Sequence, residues 1–202
     1  LEEVDSETES LKIENRKFNK SVKFLPDSLR ILEIESEMFN QDVQFLAQLE
    51  SLKIKSRMFD KNVNNLPTSL KTLKIYSDDF DQQLDHLPKS LVILKIKSKF
   101  FNQSIGCLPN SLRVLEIESD MFNQRIDHLP DLLTMIRITS AIFDQCVKFL
   151  PESLKTLIIG SRTFDQTVKF LPESLKTLII KSETFDQTVK FLPKSLKILE
   201  IS

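Results

Sequence analysis

The sequence predicts a repeat solenoid, mainly β: one parallel sheet of about ten short strands, with extended or 3₁₀ turns on the opposite side. Three observations predict it. The pattern Leu-x-x-Leu-x-Ile-x-Ser-x-x-Phe-x-x-x-Val-x-x-Leu-Pro recurs every 21 residues along nearly all of the 202-residue chain. Phenylalanine stands five residues after each of nine successive isoleucines, from Phe18 to Phe185, so nine of the 15 Phe share one column. All eight prolines share another, from Pro26 to Pro193, broken only at Ala47 in a unit one residue short. A unit of this length carries too few apolar side chains to enclose a core, so it buries them against its neighbours. Residues 1–202 therefore read as a single solenoid of nine units of 20–21 residues plus a terminal strand.

Each strand is marked by a Leu-x-Ile step, or Ile136-x-Ile138 in the seventh, beginning at Leu11 and Ile13 and ending at Leu199 and Ile201, ten in all. Around the steps polar and apolar residues alternate, as in Arg30-Ile31-Leu32-Glu33-Ile34-Glu35, which buries one face and presents the other to solvent. The return path has helical spacing, for example Phe39, Val43 and Leu46. A helix with its side chains is about 10 Å wide, however, while rungs lie about 4.8 Å apart, so extended or 3₁₀ turns are expected. Proline then stops any helix and aims the chain into the next strand. A serine column, Ser36 to Ser182 with Asn15 first, sits where the chain leaves each strand. Its hydroxyls, and the Asn or Asp after each Phe acting through Asx turns, are expected to satisfy backbone groups at the bends.

Composition narrows the function classes. With 28 basic and 29 acidic residues, the bulk charge attracts neither nucleic acid nor a membrane, and any such preference has to be local. No stretch approaches the roughly 18 consecutive apolar residues of a membrane span. The first ten residues hold five carboxylates, the opposite of a secretory leader. Cys107 and Cys146 lie in different columns about two rungs apart, a placement that disfavours a disulfide and favours a reducing, cytoplasmic compartment. The chain starts without methionine and stops inside a strand at Ile198-Leu199-Glu200-Ile201-Ser202, so a fragment of a longer protein is expected. The acidic segment Leu1 to Ser10 is expected to shield the first sheet edge.

The repeat resembles the leucine-rich repeat, and its Leu-Pro-x-Ser-Leu lead-in is similar to the short Leu-Pro-containing subclass. Phe101-Asn102-Gln103-Ser104-Ile105-Gly106-Cys107-Leu108-Pro109-Asn110-Ser111-Leu112 is similar to the FNIP repeat. The resemblance covers residues 8–202. It departs from the leucine-rich repeat where Arg57, Asp78 or Lys99 stands in place of the usual Asn, and from FNIP where Asp, Ser, Arg, Cys or Thr replaces the Pro after Phe-Asn-Gln. The resemblance implies a non-catalytic protein-binding module. Because FNIP proteins often carry an F-box, it also implies the substrate-reading arm of a ubiquitin-ligase adaptor, with the F-box itself outside this sequence.

Among the residues, only one cluster invites metal chemistry. His86, Cys107 and His128 occupy one column on three successive rungs, beside Asp85 and Asp127, and stacked side chains about 5 Å apart would converge on zinc. The same column holds Phe24, Phe45, Phe149, Phe170 and Phe191, so the alternative is a partly buried position where smaller groups replace Phe. No cofactor is expected, and no Ser/His/Asp arrangement or phosphate-binding glycine loop is present.

The open face of the sheet carries the recognition candidates. Acidic rungs at 33–37 and 116–120 flank basic rungs holding Lys53, Lys55, Lys95 and Lys97, with Lys74 and the sole tyrosine, Tyr76, between them. Cross-rung Glu–Lys pairs explain the flanks. They leave Lys53, Lys74 and Lys95 in line, an arrangement that costs stability and that either a functional patch or duplication history would leave behind. Ile158 and Ile179 replace charges further along, with Gly160 leaving a dip between them. The expected partner is another protein with an acidic surface. The second reading is a structural spacer that self-associates end to end.

Overall fold

The structure, a computed structural model, describes residues 4–202. Ten strands follow in chain order: β1 Ser10–Glu14, β2 Ile31–Glu35, β3 Ser51–Lys55, β4 Thr72–Tyr76, β5 Ile93–Ser98, β6 Val114–Ser119, β7 Met135–Ser140, β8 Thr156–Ser161, β9 Thr177–Lys181 and β10 Ile198–Ile201. They form one parallel sheet in sequential order, each pairing with its neighbours in the chain. None of the described residues is helical, and the return paths are extended segments and hydrogen-bonded turns. The width argument thus outweighs the i, i+4, i+7 spacing.

Register is set by the buried columns. Ile34, Ile54 and Ile75 align, as do Leu32, Leu52 and Leu73, even though the second unit is one residue short. The deletion is absorbed in the turn. Elsewhere the amide of the Leu after Pro-x-Ser donates to the proline carbonyl, as Leu70 does to Pro67 at 3.0 Å; in the short unit Leu49 donates to Leu46 at 3.2 Å. Because a one-residue slip would reverse every side chain of a strand, absorbing the change outside the sheet preserves the core.

The core is a set of parallel columns in which each unit covers the next. Phe18 to Phe185 stack with ring centroids 5.7–6.1 Å apart and interplanar angles of 2–14°. Phe39 to Phe164 are fully buried, whereas the two end rings are only partly covered, as nearest-neighbour stacking requires.

Polar side chains tie rung to rung. Ser56 donates to the Phe39 carbonyl at 2.8 Å, and Ser98 to that of Phe80 at 2.8 Å. The Asn/Asp column behaves differently from the expected Asx turns. Asn102 Oδ1 accepts the Asn123 amide one rung on at 3.0 Å, and Asp144 Oδ1 accepts that of Asp165 at 2.9 Å. A local turn would satisfy one bend, while the observed bond joins two units. A second serine column, in Leu-Pro-x-Ser-Leu, adds bonds such as Ser90 to the Leu70 carbonyl at 2.7 Å. Among the described residues no buried side-chain polar atom lacks a partner.

The first edge is described from residue 4 onward. Val4 packs against the core, and the Glu9 carbonyl accepts the amides of Arg30 and Ile31. The shielding expected of Leu1 to Ser10 falls in part on residues 1–3, outside the described residues.

Candidate interaction surface

Strand alternation places Lys53, Lys74 and Lys95 side by side on the open face, in direct register. Tyr76 lies in register between Lys55 and Lys97. Tyr76 itself is half-buried. On the strand-exit side the chain turns away and leaves a groove of about 510 Å³, lined among others by Glu35, Lys55, Arg57, Tyr76, Asp78 and Lys97.

Ion pairs divide the patch. Lys53 binds Glu33 at 3.1 Å and Lys95 binds Glu116 at 2.8 Å, while Lys55 pairs with Glu35 and Lys97 with Glu118. Asp78 is shared by Lys99 at 3.1 Å and Arg57 at 3.4 Å. The hydrogen bond from Lys55 holds the Glu35 carboxyl below the usual carboxylate range. Each flanking lysine thus leans outward to a carboxylate one rung away. Among the described residues Lys74 forms no such pair. The basic stretch seen in sequence is therefore largely neutralised, with one unmatched ammonium at its centre.

Further along, Ile158 and Ile179 stand in register, flanked by Arg137 and Glu200, and both are half-buried. Gly160 borders a second groove of about 560 Å³ shared with Thr139, Arg162 and Lys181. A Cβ added at Gly160 would meet Thr139 Cγ2 at 3.6 Å, an ordinary contact, so packing does not demand glycine there.

The column of His86, Cys107 and His128 is not the partly buried position expected. His86 and Cys107 are exposed, and the His128 side chain is 82% exposed. Its Phe members are exposed as well, Phe24 by 78%, Phe149 by 68% and Phe191 by 64%. The physical reason is the turn. Val22 and Leu25, and their equivalents on each rung, take the interior, which leaves the two residues between them at the tip. Among the described residues no group of three or more His, Cys, Asp or Glu side chains is placed to hold a metal ion. Cys107 and Cys146 are free thiols. Among the described residues no helix is long and apolar enough to cross a membrane.

A stack of parallel rungs with a fully outward-facing strand surface defines a repeat solenoid of the leucine-rich-repeat kind. The FNIP Repeat family model matches residues 62–99. Over 98% of its length the chain is similar to the solved structure of CroV588, described as a novel circular LRR protein, with 29% sequence identity and a TM-score of 0.79. The match covers 34% of that chain, so the present chain spans 34% of its length. No curated protein matches. The sheet, the Phe column and these two likenesses support a leucine-rich-repeat-like solenoid that carries a match to the FNIP repeat over residues 62–99.

Proposed function

We propose that the chain is a non-catalytic recognition module that binds another protein through its open sheet face, centred on Tyr76. Solenoids of this kind generally serve protein interaction and generally lack catalysis. The observation that carries the reading is the setting of Tyr76: an aromatic ring on a sheet face, beside a groove of about 510 Å³ and next to the unpaired Lys74. Aromatic side chains with a polar tip anchor protein interfaces because they bury area at small entropic cost.

The acidic complement required of the partner is narrow. Lys53, Lys55, Lys95 and Lys97 already hold carboxylates of their own chain, so the partner supplies one carboxylate to Lys74 and an apolar contact for Tyr76. Ile158 and Ile179, four and five rungs on, extend the same face by a second, apolar contact for an elongated partner. The FNIP resemblance supports a narrower context, the substrate-reading arm of a ubiquitin-ligase adaptor, in which segments beyond this sequence dock the ligase.

The test is selection of binders from a displayed peptide library on the wild-type chain, followed by titration on variants. Binders are expected to lose on the order of 10- to 100-fold in affinity on Tyr76→Ala and less on Lys74→Gln, with unchanged melting. A selected set that binds Tyr76→Ala as tightly as wild type overturns the reading.

A further inference from the structure

The two residues at the tip of each return turn are read outward, and on three consecutive rungs they are Lys-Phe. Phe149, Phe170 and Phe191 project from the turns with half or more of their surface in solvent. Lys148, Lys169 and Lys190 precede them. Lys169 Nζ lies 4.8 Å and Lys148 Nζ 5.6 Å from the Phe170 centroid, so cations from two rungs lie over one ring.

Charge is concentrated there as well. Segments 148–155, 169–176 and 190–197 hold seven lysines against two glutamates. The equivalent segments of the four middle rungs, 64–71, 85–92, 106–113 and 127–134, hold three basic and three acidic residues and no Phe at the tip. Like charges stacked on successive rungs destabilise a fold, and a Phe left half or more exposed forgoes much of its burial energy. Both features are repeated three times on one edge, where they disfavour the isolated protein and favour an amphipathic, anionic counterpart.

We infer that this edge, formed by Phe149, Phe170 and Phe191 with Lys148, Lys169 and Lys190, docks on the surface of an anionic phospholipid bilayer. Turn tips of adjacent rungs protrude side by side, so the rings reach the boundary between headgroups and acyl chains together while the ammonium groups remain among the phosphates. A protruding ridge suits a deformable surface better than a protein pocket. Stacking of nucleic-acid bases requires free ring faces, and two lysines lie over the Phe170 ring. The near-zero bulk charge is no obstacle, because the attraction is local and falls off within a Debye length. Tyr76 lies on a different surface, and this inference does not depend on the role proposed for it.

The experiment is flotation of the full chain with phosphatidylcholine vesicles prepared with and without phosphatidylserine. Binding is expected only to the anionic vesicles. The triple variant K148Q/K169Q/K190Q is expected to weaken it on the order of 100-fold, and F149S/F170S/F191S on the order of tenfold, with melting unchanged in both and Tyr76→Ala without effect. Absence of flotation with phosphatidylserine vesicles overturns the inference, as does flotation indifferent to the Phe variant. Concentration-dependent dimers dissolved by F149S/F170S/F191S, or displacement of vesicles by a single-stranded oligonucleotide, would assign the edge to a second copy or to nucleic acid and likewise overturn it.

Discussion

Ser77 donates its hydroxyl hydrogen to the carbonyl of Phe59, one rung earlier, at 2.8 Å, and the same oxygen accepts the Asp79 amide at 3.3 Å. One buried hydroxyl thus closes the bend of its own rung and binds it to the preceding Phe column. Ser77→Ala leaves the Phe59 carbonyl without that partner in a site closed to water. The expected loss is about 1–3 kcal/mol in urea unfolding, larger than for alanine at an exposed serine such as Ser21.

Leu132 interrupts the second serine column. Ser111 and Ser153, on the rungs either side, donate to the carbonyls of Leu91 and Leu133 at 2.6 Å. Leu132 instead leaves a large apolar side chain exposed and offers no hydroxyl. Leu132→Ser is therefore expected to raise stability by about 0.5–1.5 kcal/mol through a new bond to the Leu112 carbonyl. A melting comparison with wild type checks it.

Acid should loosen the carboxylate ladder. The Asp186 amide and the Gln187 side chain, bonded to Asp165 at 2.9 and 3.0 Å, hold its carboxyl below the ordinary value of 3.8. Glu35 is held below 4.5 by Lys55, and Glu50 below 4.5 by Lys71. A carboxyl with a lowered folded-state pKa stabilises the fold above its unfolded value, and that contribution disappears as pH falls through the folded value. Stability is expected to be flat above pH 4.5 for these groups and to decline below it. Asp165→Asn should reduce the decline, because Asn123 accepts the equivalent bonds from Asp144 and Gln145 without titrating.

Most of the scaffold was legible because it is periodic. Alternation about Leu32 and Ile34, and the 21-residue spacing of Phe59, Phe80 and Phe101, assign strands and core without reference to anything outside the chain. What periodicity does not carry is direction in the turns. A strand reverses its side chains at every residue, but a turn has no fixed angle per residue, so the column of Phe24, His86 and Phe149 revealed its members and not its exposure. The Asn/Asp column misled for a related reason. An Asx turn and a bond to the next rung use the same oxygen, and only the rung spacing in three dimensions chooses between them. On the open face, the order of charges showed which lysines have acidic neighbours, whereas the isolation of Lys74 emerged only when Lys53 and Lys95 were seen to turn outward.

Tyr76 and Phe80 stand on one rung, facing opposite ways, and comparing their alanine variants tests most directly whether stacking alone holds the fold and releases the outer face for recognition. Phe80→Ala is expected to lower the unfolding free energy by about 3–5 kcal/mol. Tyr76→Ala is expected to change it by no more than about 1 kcal/mol. A loss at Tyr76 equal to that at Phe80 would make the ring part of the scaffold and contradict its role as a free recognition residue.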